Sequence, residues 1–191
     1  MRIVGNQVYT VVDCGAKWTK VEGRANARLS CIKDLLELMF LGEYTHAIDE
    51  KGRLTIPSKV REQLEEGAVI TRGYEKYLLV YTASDFSRLT ARTATLSPTD
   101  PENRALLRMA FSGASEGTPD KQGRIIIPPF LREYAGIELE GECVIVGVGL
   151  YLEIWSKAGW EEQLKIVNDP ALNAKRFASL DLAPGVEALA G

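Results

Sequence analysis

The sequence has few of the residues that build catalytic and metal sites. Only one of its 191 residues is histidine and three are cysteine, and Cys14, Cys31 and Cys143 lie far apart with no Cys-x-x-Cys pair. That spacing argues against a zinc site or a disulfide framework and is typical of a protein from a reducing cytosol. No nucleophile has an evident base, no Walker sequence occurs, and His46 is expected at a surface or interface. We therefore expect a protein that is not an enzyme and has no catalytic residues, metal or cofactor.

Long apolar runs and an excess of positive charge are missing as well. No stretch approaches the ~18 apolar residues of a membrane span, and Gly5 ends the apolar start of the chain before a secretory signal could form. The formal net charge is −3, which is not the basic balance typical of nucleic-acid binders. Acidic and basic residues are equal in number between residues 39 and 96. A hydrophobic fraction of 46% still predicts a globular protein with its own core.

What the sequence does contain is an internal repeat. Segment 42–62 recurs at 113–133 with one fixed offset, and farther along the offset grows by three. So many matches in order indicate a duplicated unit. The identical positions in the first copy are Gly42, Asp49, Gly52, Arg53, Ile56, Pro57, Arg61 and Glu62. The later aromatic residues Tyr77, Tyr81 and Phe86 match Tyr151, Trp155 and Trp160.

Each copy predicts a strand, a tight turn, a second strand, a short helix, two more strands and an amphipathic helix. Gly52 in the turn can take a positive φ, and Pro57 precedes the short helix, where its missing N–H does no harm. The predicted strands of the first copy are 44–48, 53–56, 68–71 and 77–81, and the last two of the second copy are 142–146 and 150–155.

Three helix starts are marked by capping residues. Ser84 and Ser156 are the candidate N-caps of the helix that ends each copy. Asp100, followed by Pro101 and Glu102, predicts a helix that connects the copies. A unit of ~45 residues buries too little apolar surface to be stable alone. We therefore expect the two copies to share strands about a pseudo-two-fold axis.

Aromatic residues in the repeats allow two interpretations. Tyr77, Tyr81, Trp155 and Trp160 can be platforms on which nucleic-acid bases stack, or they can pack in the core or between the repeats. Their alternation along the predicted strands favours packing. Cys143, at the start of a predicted strand, is expected to be a buried small apolar residue.

The turn and the residues after it resemble a known DNA-binding domain. Asp49-Glu50-Lys51-Gly52-Arg53, followed by Ile56-Pro57 and Arg61-Glu62, is similar to the AbrB/SpoVT swapped-hairpin domain. Two copies with Asp-x-x-Gly-Arg and a helical linker, from residue 39 to about 167, resemble the MraZ family of bacterial regulators. The resemblance implies an α+β fold. In it, two tandem swapped-hairpin β-α-β units form a pseudo-two-fold, β-barrel-like core with flanking helices.

The resemblance also implies a function. A family member is expected to be a cytoplasmic, nucleoid-associated and sequence-specific transcriptional regulator that forms a ring-shaped homo-oligomer. It is expected to bind repeated double-stranded DNA sequences in the promoter upstream of its own cell-division and cell-wall gene cluster, with no membrane and no small-molecule substrate as partners. Carried over residue by residue, the DNA-binding positions are Asp49, Lys51 and Arg53 in the first copy and Asp120, Lys121 and Arg124 in the second.

The two copies differ inside the turn. Gln122 stands where the first copy has Lys51, although Lys121 lies one place earlier. We therefore expect the first copy to contribute more to DNA binding.

The residue types of the turn suit contact with DNA from the tip of a hairpin. Arg53 has a planar fork of donors that can pair with guanine O6 and N7 or with a phosphate. Lys51 suits a phosphate, and Asp49 is expected to orient the arginine or to accept from Lys51. The same residues are also ordinary hairpin chemistry with a surface ion pair. The alternative hypothesis is therefore a swapped-hairpin protein-interaction or antitoxin-like assembly module.

The sequence predicts five segments. They are an N-terminal extension outside the resemblance (1–38), repeat 1 (43–85), a helical linker (86–113), repeat 2 (114–157), and a C-terminal helix with a mobile tail (158–191). Because the resemblance starts at Met39, we expect that the start codon was assigned too far upstream and that the native protein begins there. A peptide spanning Trp18 or Leu29 in mass spectrometry of the native protein would contradict this.

Overall fold

The structure is a computed structural model that describes residues 2–4, 7–11, 18–20 and 38–180. Three short strands come first, and they pair antiparallel in the order β1-β2-β3. They are β1 (Arg2–Val4), β2 (Gln7–Val11) and β3 (Trp18–Lys20).

The first copy of the repeat forms the predicted elements. Pro57 immediately precedes its short helix, and Gly67 follows the helical turn with φ +122°. The strands are β4 (Phe40–Ala47), β5 (Arg53–Thr55), β6 (Ala68–Arg72) and β7 (Tyr77–Thr82). The helical segments are α1 (Ser58–Arg61), a 3-10 turn (Glu62–Leu64) and α2 (Ala83–Thr93).

The linker and the second copy repeat this order. Helix α3 (Pro101–Ser112) connects the copies, as Asp100-Pro101-Glu102 predicts. The strands that follow are β8 (Ser115–Gly117), β9 (Arg124–Ile126), β10 (Glu142–Gly149) and β11 (Leu152–Ser156). The helices are α4 (Pro129–Ala135), α5 (Lys157–Val167) and α6 (Pro170–Arg176).

The two copies exchange strands. A six-stranded antiparallel sheet has the order β4-β10-β11-β7-β6-β8, and β5 pairs with β9 in a separate two-stranded ribbon. The first strand of each copy thus pairs with the third strand of the other. Reversing the order swaps equivalent strands, so a pseudo-two-fold axis passes between β7 and β11, as expected from the repeat.

The α+β fold with two tandem units is confirmed, but the core is not barrel-like. The six-stranded sheet is open, with β4 and β8 as its edges. Closure does not occur because β5 and β9 pair with each other instead of bridging those edges.

Aliphatic side chains from both copies fill one core. Each fully buried side chain of this size stabilises the fold by roughly 1.5–3 kcal/mol relative to an exposed one. Cys143 is among the buried residues, as predicted. The largest fully buried side chains are Phe40, Ile48, Leu54, Ile56, Leu64, Ile70, Leu78, Ile125, Ile127, Leu131, Ile145 and Leu152.

The aromatic residues pack against one another at the junction between the copies, as their alternation predicts. Tyr77 and Trp155 are buried, lie opposite each other on β7 and β11, and stack with ring centroids 4.5 Å apart. The pseudo-symmetric pair, Tyr81 and Tyr151, has centroids 5.5 Å apart. Trp160 packs against Trp155 at 5.9 Å. Buried rings such as Tyr77 and Trp155 are not available as platforms for bases.

One predicted helix cap is wrong. The N-cap of α2 is Thr82, whose hydroxyl accepts from the backbone N–H of Asp85 at 3.0 Å, and Ser84 lies inside the first turn because the helix already begins at Ala83. Ser156 caps α5 as predicted, accepting from Gly159 at 3.2 Å.

The C-terminal region contains one more helix than the sequence suggests. Asp169 caps α6 by accepting from the backbone N–H groups of Ala171 and Leu172, in a stretch that the sequence predicts to be part of a mobile tail. Residues 181–191 of that predicted tail lie outside the described residues. Across residues 38–180 and the three N-terminal strands, no helix has the length and hydropathy needed to cross a membrane.

Candidate nucleic-acid interface

The carboxylate of Asp49 organises the first turn. Its Oδ1 accepts from the backbone N–H groups of Lys51 and Arg53, both at 2.9 Å, and its Oδ2 accepts from Arg53 Nε at 2.6 Å. The backbone closes the turn through Gly52 N–H to Asp49 O at 2.9 Å, with Gly52 at φ +76°. Asp49 therefore shapes the turn and orients the arginine, the two structural roles that its position predicts.

The second turn has the same geometry. Asp120 Oδ1 accepts from the backbone N–H groups of Gln122 at 2.9 Å and Arg124 at 3.0 Å. Its Oδ2 accepts from Arg124 Nε at 2.9 Å and Nη2 at 2.7 Å. Gly123 has φ +73°. Since the repeated residues make repeated bonds, the Asp-x-x-Gly-Arg pattern encodes this turn locally.

Strand exchange brings the two turns together. In the β5–β9 ribbon Leu54 pairs with Ile125, and both side chains are buried in the core. The opposite face of the ribbon therefore carries Arg53 and Arg124, since side chains alternate along a strand. Arg124 Nη1 lies 4.0 Å from Asp49 Oδ2. The predicted site residues of two distant segments thus form one surface, which we call the ribbon face.

Two further arginines support the turns, although the sequence alone predicted no role for them. Arg61 Nη2 donates to Ile56 O at 3.0 Å, and its guanidinium lies where a side chain on Gly123 would have to be. Arg132 Nε donates to Ile127 O at 3.1 Å, and the same atom would lie 3.2 Å from a Cβ added to Gly52. Each arginine therefore packs against the turn of the other copy. The sequence signal for this role was that Arg61 recurs as Arg132 at the fixed offset of the repeat.

The two ribbon arginines differ in the donors that they keep free. Asp49 uses only Nε of Arg53, so within residues 38–180 the two Nη groups of Arg53 have no hydrogen-bond partner. Asp120 uses both Nε and Nη2 of Arg124, and the Asp49 carboxylate is a second acid nearby. Arg53 consequently has more capacity to bind an external acceptor.

The electrostatics of the turns follow from these bonds. The Arg124 guanidinium and backbone N–H groups lower the pKa of Asp120 from 3.8 to about 2. The backbone N–H of Arg53, followed by its guanidinium, lowers the pKa of Asp49. Both carboxylates are therefore ionised at neutral pH and offset the arginine charges.

The predicted lysines precede the turn glycines, Gly52 and Gly123. Lys51 and Lys121 are exposed, and neither makes an ion pair with any residue of the described part of the chain. Residues 49–53 and 120–124 together hold four cationic and three acidic side chains. The surplus of positive charge on one chain is therefore small, and it belongs to the lysines.

Residues with catalytic chemistry are not assembled elsewhere in the described part of the chain. His46 is half-buried on β4 and pairs in register with Cys143 on β10, whose thiol has its pKa raised to about 11 by burial. A thiol with that pKa is a poor nucleophile at neutral pH. Within the described residues, no three His, Cys, Asp or Glu side chains are placed to hold a metal ion.

Two equivalent acid–arginine turns at the ends of one antiparallel ribbon, in a chain whose two copies exchange strands, define a tandem swapped-hairpin protein. The family model described as "MraZ protein, putative antitoxin-like" matches residues 39–109 and again residues 110–178. The chain belongs to the MraZ family.

Curated relatives carry the name "Transcriptional regulator MraZ". The relative from Dictyoglomus thermophilum is 50% identical over 124 residues, which are 65% of this chain and 84% of that relative. The relative from Thermomicrobium roseum is 44% identical over 144 residues, 74% of this chain and 99% of the relative. The relative from Herpetosiphon aurantiacus is 47% identical over 133 residues, 70% of this chain and 92% of the relative. These names describe regulators of transcription rather than enzymes.

Proposed function

We propose that this protein is a sequence-specific regulator of transcription that binds double-stranded DNA through the ribbon face. The observation that carries the proposal is the placement of Arg53 and Arg124 on one face of the ribbon, near its two ends, with each arginine held in a defined orientation by its own aspartate. Two-stranded β-ribbons fit the major groove of B-DNA. Relatives with the name of a transcriptional regulator support the same function.

The roles of the site residues follow from their geometry. Arg53, with both Nη groups available, makes a bidentate contact with guanine O6 and N7. Arg124 contributes a weaker contact because Asp120 already uses two of its nitrogens. Lys51 and Lys121 neutralise phosphates, which positions the ribbon without reading sequence. Asp49 and Asp120 orient the arginines and touch no base.

Assembly compensates for the weak DNA binding that follows from the small positive charge on one chain. We propose that the protein forms a ring of identical subunits in the cytoplasm, associated with the nucleoid. The ring presents several ribbon faces to repeated sequences upstream of the protein's own cell-division and cell-wall gene cluster. A ring of this kind requires a head-to-tail interface that closes. Weak contacts then multiply through effective concentration, and binding falls steeply with salt through counterion release.

The decisive measurement is a mobility-shift titration with the DNA upstream of the protein's own gene, against a scrambled duplex. Arg53→Ala removes a contact worth roughly 1–3 kcal/mol, so we expect the specific complex to be weaker by about 5-fold to about 150-fold. Arg88→Ala is the matched control, because Arg88 is also paired with an aspartate, Asp85, but lies on α2. If Arg53→Ala binds the upstream DNA as well as the wild type does, the role assigned to Arg53 is wrong.

A second candidate function is a protein-interaction or antitoxin-like assembly module. It is favoured by the near balance of cations and acids in the two turns and by the antitoxin-like description of the family. The same titration separates the two functions. An assembled protein that shows no preference for its upstream DNA over scrambled duplex at modest ionic strength would exclude the regulator and leave the module.

A further inference from the structure

An exposed aliphatic side chain lies among the arginines of the ribbon face. Side chains alternate between the two faces of β5 and β9, and Leu54 and Ile125 point into the core. Ile126 is on the opposite face and is 62% exposed. Its counterpart in the first copy is Thr55, so the repeat does not conserve the chemistry of this position.

The register of the ribbon sets Ile126 against Arg53. Arg53 pairs with Ile126 and Thr55 pairs with Arg124. The hydrogen bonds that flank these pairs run from Ile127 N–H to Gly52 O and from Ile56 N–H to Gly123 O, both 2.8 Å. Both pairs are therefore of the non-hydrogen-bonded type, in which the side chains of partners are closest. Facing Cβ atoms in such pairs are ~4.5–5.5 Å apart.

Two chemical differences fall at the same end of the ribbon face. The Arg53 end has the arginine with both Nη groups available and an apolar partner, Ile126. The Arg124 end has the arginine held by two bonds to Asp120 and a partner with a hydroxyl, Thr55. The backbone of the ribbon is pseudo-symmetric, but the side chains at its two ends differ. The ribbon face is therefore chemically asymmetric.

We propose that Ile126 is a specificity-determining residue that packs on the C5 methyl group of a thymine next to the guanine bound by Arg53. This inference rests on the proposed function. Thymine is the base that offers an apolar group in the major groove. Base pairs are ~3.4 Å apart along the duplex, so side chains with Cβ atoms ~5 Å apart reach adjacent base pairs. Each ribbon face therefore reads an asymmetric sequence in one orientation.

The test removes only the methyl group that Ile126 is proposed to contact. Duplexes covering the footprint of the full-length protein on its upstream DNA are made with each thymine replaced singly by deoxyuridine. Loss of one buried methyl group corresponds to about a four-fold weaker complex. We expect that loss for the wild type at one thymine in each bound repeat, beside a guanine. Ile126→Ser should bind the thymine and deoxyuridine duplexes equally.

The control is Leu150→Ser. Leu150 is 66% exposed, much like Ile126, but it follows the end of β10 that pairs with Phe40, away from the end near the turns. The Leu150→Ser protein should discriminate between thymine and deoxyuridine duplexes as the wild type does. Subunit number is measured for all three proteins by mass photometry and should not change in Ile126→Ser.

Failures of the two proposals are distinguishable. If the wild type binds its upstream DNA specifically but no replacement weakens the complex, or if Ile126→Ser still discriminates, the role of Ile126 is refuted and the proposed function stands. If Ile126→Ser changes the subunit number, Ile126 is an assembly contact and the inference is also refuted. If the wild type shows no preference for its upstream DNA, the proposed function itself fails and this inference fails with it.

Discussion

Gly123 is the turn glycine whose replacement by alanine should cost the most stability. It has φ +73°, and an added Cβ would lie 2.5 Å from Arg61 Nη2 and closer still to Nε. Arg61 cannot yield without releasing its bond to Ile56 O. The left-handed backbone costs an alanine roughly 1–2 kcal/mol, and losing a hydrogen bond to a charged group costs roughly 1.5–3 kcal/mol. We expect Gly123→Ala to lower the free energy of unfolding by about 3 kcal/mol.

Two other glycines calibrate this estimate. Gly136 has φ +64° but no atom within 4 Å of an added Cβ, so Gly136→Ala should cost only the backbone term, about 1 kcal/mol. At Gly52, with φ +76°, the added Cβ would lie 3.2 Å from Arg132 Nε and 3.2 Å from Ile127 O. That tighter contact places Gly52→Ala between the other two, at about 2 kcal/mol.

Urea unfolding followed by far-UV circular dichroism measures the series. All variants must be compared at one protein concentration, because assembly contributes to apparent stability. The Arg61→Ala background removes the overlapping side chain, so there the difference between Gly123→Ala and Gly136→Ala should shrink towards zero. Equal losses for Gly123→Ala and Gly136→Ala in the wild-type background would refute the packing of Arg61 against the opposite turn.

Two further predictions concern the turns and the junction between the copies. The bonds from Arg124 lower the pKa of Asp120 from 3.8 to about 2, so their contribution to stability is present above pH 3.8 and is lost as the pH falls towards 2. An NMR titration of the carboxyl group should find this pKa, and Arg124→Ala should return it towards 3.8; an unshifted pKa in the wild type would contradict the bond geometry. Tyr77→Ala should cost about 3 kcal/mol in urea unfolding because it empties the stack against Trp155, whereas Tyr74→Ala, at a side chain 71% exposed, should change stability by less than about 0.5 kcal/mol. Similar losses for both tyrosines would mean that the stack does not stabilise the junction.

Local patterns in the sequence predicted most of the elements. Gly52 marks a tight turn, Pro57 marks a helix start, and Asp100 caps the linker helix, because each acts on residues within a few positions of itself. The wrong cap at Ser84 is also a local error. The repeat aligns Thr82 with Ser156, so the cap of the second copy would have identified the correct residue of the first.

Among the predicted site residues, sequence and structure contributed different parts. The pattern of Asp49 and Arg53 predicts an oriented arginine, and the structure has the bond at 2.6 Å. Nothing local indicated that Arg124 would come near Asp49, or that Arg61 would support the turn of the other copy. Contacts of that kind depend on which strands pair and in which register.

The amino-acid sequence alone determined that a small α+β unit is duplicated and that each copy has an aspartate-shaped turn, since turns and caps depend on neighbours along the chain. Tertiary structure decided that β4 pairs with β10, that β5 pairs with β9 in an open architecture, and that Ile126 faces Arg53. The physical reason is that one small copy cannot bury its own apolar surface. The partner strand, and with it the composition of the ribbon face, is determined only when both copies pack together.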